Sequence, residues 1–115
     1  RGEHDQDLRF EHIEVYRRNR TLLLEALPDL GLDAIAPPDG AFYIYADVGH
    51  LTRDSLEFCQ TLLRDTGVAT APGVDFDPVE GGHFIRMSFA VSTPEIEEAL
   101  RRLKPWFTSR KRLSA

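Results

Sequence analysis

His83-Phe84-Ile85-Arg86-Met87-Ser88-Phe89-Ala90 is the stretch from which the fold can be read. Its alternation puts Ile85, Met87 and Phe89 on one face of a strand and Phe84, Arg86, Ser88 and Ala90 on the other. Working outward toward the C-terminus, Thr93 is placed to cap a helix and Pro94 to open it. Acids follow at Glu95, Glu97 and Glu98, then bases at Arg101, Arg102 and Lys104, the order that complements a helix dipole. Ile96, Ala99, Leu100 and Leu103 form the buried stripe of that helix. Trp106 and Phe107, after Pro105, are expected to seal one edge of the core.

Working outward toward the N-terminus, Pro72 to Gly82 is a loop carrying three glycines, two prolines and three acids. Val68 to Ala71 reads as a short strand. Thr52 is placed to cap a second helix, with Leu56, Cys59, Leu62 and Leu63 on one face and Gly67 as the stop. Ala41 to Ala46 has β composition with aromatic side chains on both faces, which predicts that both faces are covered. Before it, the apolar stretch Leu32 to Ala36 is closed by the turn Pro37-Pro38-Asp39-Gly40. Leu8, Ile13, Tyr16, Leu23, Leu24 and Leu27 recur at helical intervals, and Pro28 and Gly31 end that helix. The predicted order is helix, strand, strand, helix, strand, strand, helix. This defines an α+β fold with a small, mainly antiparallel sheet of three to four strands and helices packed on one face.

The 115 residues make one domain, with residues 1–7 and 110–115 expected to be flexible. The composition, 42% hydrophobic and 29% charged, is that of a globular chain. A net charge of −5 argues against nucleic acid and anionic membranes as partners, and no apolar run is long enough to cross a bilayer. One cysteine rules out an internal disulfide, so a cytoplasmic location is expected. The opening Arg1-Gly2-Glu3-His4 lacks a methionine, and the chain is expected to be cut from something longer.

Arg86 is the candidate binding residue. A guanidinium set among Phe84, Ile85, Met87 and Phe89 must find an anion, and its planar fork matches a carboxylate. The alternatives are a half-solvated sheet face or an internal partner such as Asp47. Asp75, Asp77 and Glu80 resemble a calcium loop superficially, but Val79 occupies its fifth position and Gly81 falls at the seventh. Gly81-Gly82 lacks the strand and helix context of a nucleotide fingerprint. His4, His12, His50 and His83 match no zinc spacing. Cys59 reads as a buried, inert thiol. Tyr16-Arg17-Arg18-Asn19-Arg20 reads as a solvated helix face, with phosphate binding as the other reading. No Ser/His/Asp set is legible, and the loop Asp75 to Glu80 has no assignable role.

Four segments together resemble a known family. Pro38-Asp39-Gly40-Ala41-Phe42-Tyr43 is similar to the P-x-G-x-F-Y segment of class I/II aminotransferases, the fold-type I enzymes dependent on pyridoxal phosphate. Gly67-Val68-Ala69 with Ala71-Pro72-Gly73-x-x-Phe76 resembles their G-V-A-x-x-P-G-x-x-F stretch. Gly82 to Ala90 resembles their G-x-x-R-x-S-F/Y-A strand. Tyr16 to Arg20 resembles a Y-x-x-R-R-D-type helix, with Asn19 near where an aspartate is common. The resemblance covers roughly residues 10 to 107 and is to the C-terminal small domain, which closes over the substrate. It implies that Arg86 grips the substrate α-carboxylate, that Phe42 lines the substrate pocket and that Gly40 lets the backbone approach. It also implies an amino acid and a 2-keto acid as substrates, a large cofactor domain in the same chain and a homodimer. The Schiff-base lysine and the other residues that hold pyridoxal 5'-phosphate belong to that large domain. Lys104 and Lys111 stand outside any matching context, so the 115 residues alone are expected to be inactive. The rival expectation is a stand-alone module that binds a small carboxylate, or a dimerisation domain, without catalysis.

Overall fold

The computed structural model describes residues 2–35 and 42–110, and side chains from His12 onward. The first helix, α1 (Gly2–Ala26), runs into a 3-10 turn at Leu27–Leu30 that Gly31 ends with a left-handed φ of 78°. Strands β1 (Asp33–Ile35) and β2 (Tyr43–Asp47) precede α2 (Ser55–Thr66). Strand β3 (Ala71–Pro72), two 3-10 turns, β4 (Phe84–Ser88) and α3 (Thr93–Thr108) complete the order expected from the sequence.

The four strands lie in the order β1-β2-β4-β3, and every pairing is antiparallel. Tyr45 stands opposite Arg86 and Ala46 opposite Ile85, so period-two alternation sorts the side chains onto two unlike faces. Ile44, Ala46, Ile85 and Met87 are buried in one core with Leu23, Leu27, Phe58, Leu62, Leu103 and Trp106 from the helix layer. Tyr43, Tyr45, Asp47, Phe84 and Arg86 occupy the other face and are only half-buried. The expectation that β2 is covered on both faces is therefore corrected: the helices cover one face, and the aromatic side chains of the other remain half in solvent.

Several boundaries also shift. Asp54, rather than Thr52, caps α2 by accepting the Glu57 N–H at 3.1 Å. Thr52 instead accepts the Asp54 N–H at 3.0 Å, one turn earlier. Ser92, rather than Thr93, caps α3 by accepting from Glu95 N–H, which leaves Pro94 in the first turn where no donor is lost. Residues 68–70 carry no ladder, so β3 is shorter than expected. Leu56 and Leu63 are about half exposed, and Phe58, Cys59 and Leu62 form the buried face of α2. Helix α3 continues through Pro105, and Trp106 and Phe107 are buried as expected.

Candidate functional site

Arg86 sits in the middle of β4 on the face away from the helices, between β2 and β3. Its guanidinium carbon lies 4.0 Å from the centroid of the Phe76 ring and 4.7 Å from that of Tyr43. Tyr45 stands edge-on to both rings, at 5.5 Å from Tyr43 and 6.2 Å from Phe76. Burial, then the neighbouring Tyr43 phenol, pushes the Tyr45 phenol above its ordinary value, while the Arg86 charge acts the other way. Rings stacked on a guanidinium occupy its faces and leave its edge N–H groups directed in plane.

Among the described residues no carboxylate lies within ion-pair distance of Arg86. Asp47, the internal partner considered from the sequence, turns back and accepts the Gly49 N–H at 2.8 Å. A half-buried guanidinium with stacked faces and no acid of its own is suited to an incoming carboxylate, which its fork would meet with two parallel hydrogen bonds. Tyr45, Phe76, Phe84 and Ile35 line a cavity of about 280 Å³ on this same face.

Of the other two sequence candidates, only Phe42 is among the described residues. Gly40 lies outside the described residues. Phe42 is 44% exposed, yet its ring meets Tyr16 of α1 at 5.4 Å and Phe89 at 6.2 Å, whereas Arg86 meets Tyr43 and Phe76. Phe42 also accepts the Phe89 N–H through its backbone carbonyl, extending the β2–β4 pairing by one residue. Its ring stands beside α1, at one end of the sheet.

Elsewhere His50 and His83 come together with Asp33 and Asp47 around a polar hollow of about 520 Å³. Among the described residues no three His, Cys, Asp or Glu side chains are grouped so as to hold a metal ion. Cys59 is buried, and burial raises its thiol above the ordinary value although the Thr70 hydroxyl bonds to it at 3.1 Å. That thiol is disfavoured as a nucleophile. No helix among the described residues is long and apolar enough to cross a membrane.

Asn19 escaped the sequence reading as a structural residue. Its amide donates to the Phe89 carbonyl at 3.1 Å and the Val91 carbonyl at 2.6 Å, and its oxygen accepts the Thr93 hydroxyl at 2.7 Å. It is wholly buried and ties α1 to the link between β4 and α3. In a run of arginines a lone asparagine gives no local signal of this, because its partners are 70 to 74 residues away.

A small antiparallel sheet with helices on one face is the fold that the sequence motifs imply, and the chain belongs to the class I and II aminotransferase family, which matches residues 8–103. It is 58% identical over 98 residues to valine–pyruvate aminotransferase of Mycobacterium tuberculosis, covering 85% of this chain and 25% of that protein. It is 44% identical over 89 residues to aspartate/prephenate aminotransferase of Thermus thermophilus, covering 77% and 22%. A crystal structure of an aminotransferase from Mycobacterium tuberculosis superposes with a TM-score of 0.82 at 55% identity, covering 87% of this chain and 26% of that one. The chain thus spans about a quarter of the length of the relatives it matches.

The family implies pyridoxal phosphate, and the described residues do not fit it. Lys104, the one described lysine, is exposed on α3, in the layer on the opposite side of the sheet from Arg86.

Proposed function

We propose that this chain is the C-terminal, substrate-closing small domain of a pyridoxal-phosphate-dependent aminotransferase that moves an amino group between an amino acid and a 2-keto acid. Arg86 holds the substrate carboxylate. The observation that carries the proposal is the guanidinium of Arg86, stacked on Phe76 and Tyr43 on the uncovered sheet face with no ion-pair partner among the described residues. A bidentate clamp fixes both the distance and the rotation of a small substrate, and orientation of this kind lowers a barrier without touching the reacting bond. The cofactor and its lysine are supplied by the large domain of the same polypeptide, outside these 115 residues.

The test is Arg86→Lys and Arg86→Gln in the full-length protein. Lysine keeps the charge but loses the fork, so KM for the amino acid is expected to rise roughly a hundred-fold in both variants. Unchanged KM in both would remove Arg86 from the site. The 115 residues mixed with pyridoxal phosphate are expected to show neither the absorbance of a lysine-bound cofactor nor transamination; either signal would overturn the assignment of the cofactor lysine to other residues.

A further inference from the structure

The loop between β3 and β4 enters the reading above only through the Phe76 ring, and it is built to place that one side chain. After Pro72 the chain makes a 3-10 turn at Gly73–Asp75, and the N–H groups of Phe76 and Asp77 both donate to the Gly73 carbonyl, at 3.0 and 2.9 Å. The Asp77 carboxylate then accepts from Val79 N–H at 3.0 Å and Glu80 N–H at 3.1 Å, and the Asp77 carbonyl accepts from Gly81 N–H at 2.8 Å. Gly73 and Gly81 are buried against each other. A Cβ on Gly81 would come within 2.3 Å of the Gly73 carbonyl, and one on Gly73 within 2.6 Å of the Gly81 carbonyl oxygen. The acidic loop is thereby closed on itself by its own backbone and by Asp77, and Phe76, 41% exposed, is the large side chain it carries to Arg86.

We propose that Phe76 is a positioning residue for Arg86, and that the loop closed at Gly73 and Gly81 holds it there. An arginine side chain has several free torsions, and binding through it requires them to be frozen. A ring 4.0 Å from the guanidinium carbon freezes them before the ligand arrives, attracts the cation and leaves the in-plane N–H groups for a carboxylate. Phe76 touches no reacting atom; it determines how much of the cost of ordering Arg86 is already met. This inference rests on the reading of Arg86 as the carboxylate residue, and its test separates the two.

The variants are Phe76→Leu, which keeps apolar bulk but removes the π face, Phe76→Tyr, which keeps the face, and Arg86→Gln. In the 115-residue chain, the Arg86 Nε–H resonance is expected to carry a ring-current shift that Phe76→Leu abolishes and Phe76→Tyr preserves. In the full-length protein, with propanoate as a competitive carboxylate probe, Phe76→Leu is expected to raise the inhibition constant on the order of three- to ten-fold, with KM rising in step and kcat unchanged. Phe76→Tyr restores both constants. If Phe76→Leu leaves the resonance and the inhibition constant unchanged while Arg86→Gln weakens propanoate binding, the positioning role is wrong and the carboxylate reading stands. If Arg86→Gln leaves propanoate binding unchanged, the carboxylate reading itself falls, and the positioning role with it.

Discussion

At the scale of single residues, the chain separates side chains that hold the fold from those left for chemistry. Asn19 belongs to the first kind. Its neutral amide is needed because two carbonyls and one hydroxyl face it, so it must donate twice and accept once. Asn19→Leu is expected to cost about 2 to 4 kcal/mol through the buried carbonyls it strands. Asn19→Asp should cost at least as much at neutral pH, because an ionised carboxylate would face those carbonyls, and less at acid pH, where a protonated carboxyl can donate once. Urea denaturation at two pH values checks both, and equal losses for Asn19→Asp at the two would exclude this account. Arg86 was legible from the sequence because an arginine in an apolar alternating run conflicts with its neighbours, and such a conflict points to a ligand or a partner. Asn19 was not, since polar atoms in an arginine-rich helix look solvated until the distant carbonyls are placed. Phe76 was visible as a motif letter only. Nothing in the spacing of residues 72–82 states that its ring returns to a strand ten residues later.

At the scale of elements, the three helices, the succession of helices and strands along the chain and the two faces of β4 were legible, because each rests on local periodicity and capping chemistry, whereas the order of the strands in the sheet and the uncovered face of β2 were not, since both depend on distant pairing and packing. The caps moved by one or two residues because Asp54 and Ser92 accept the Glu57 and Glu95 N–H groups, while the Thr52 hydroxyl accepts the Asp54 N–H and the Thr93 hydroxyl donates to Asn19. Less legible was how α2 and α3 are joined. Trp106 Nε1 donates to the Asp65 carboxylate at 2.9 Å, and the Arg110 guanidinium lies 4.1 Å from the Trp106 ring centroid with a nitrogen 3.7 Å from the same carboxylate. The Trp106 hydrogen bond, assisted by Arg64 and Arg110, holds the Asp65 carboxyl below its usual range. The guanidinium groups of Arg101 and Arg102 do the same for Glu98. A carboxyl lowered on folding stabilises the fold above its unfolded pKa, near 4, and that contribution fades as pH falls through the folded value. Urea midpoints are therefore expected to drop below about pH 4. The double variant Asp65→Asn, Glu98→Gln should drop less steeply. An acid limb identical to that of the parent would show that these two groups do not drive it.

At the scale of the whole molecule, the two faces of the sheet carry different duties. The helix-side face holds the fold together through residues such as Ile44, Ile85 and Leu62, each fully buried, and the other face presents Arg86 and its rings. A substitution on the first face is expected to act on stability and one on the second on binding, and so the two kinds of variant can be told apart by melting alone. The strand order β1-β2-β4-β3 has a kinetic consequence. Its central pair, β2 with β4, is formed by strands separated in the chain by all of α2 and β3, and so this pairing cannot zip up from a tight turn. Closing such a distant pair loses chain entropy before any contact repays it, which places the closure at the top of the folding barrier. Ile85→Val, expected to cost about 0.5 to 1.5 kcal/mol, should then slow refolding by most of that amount and leave unfolding nearly unchanged in a stopped-flow chevron. The opposite partition would mean that the helices assemble first and the central strands meet only after the barrier is crossed. With closure as the slow step, the residues that set the speed of folding are the neighbours of Arg86 along β4, on the face turned toward the helices.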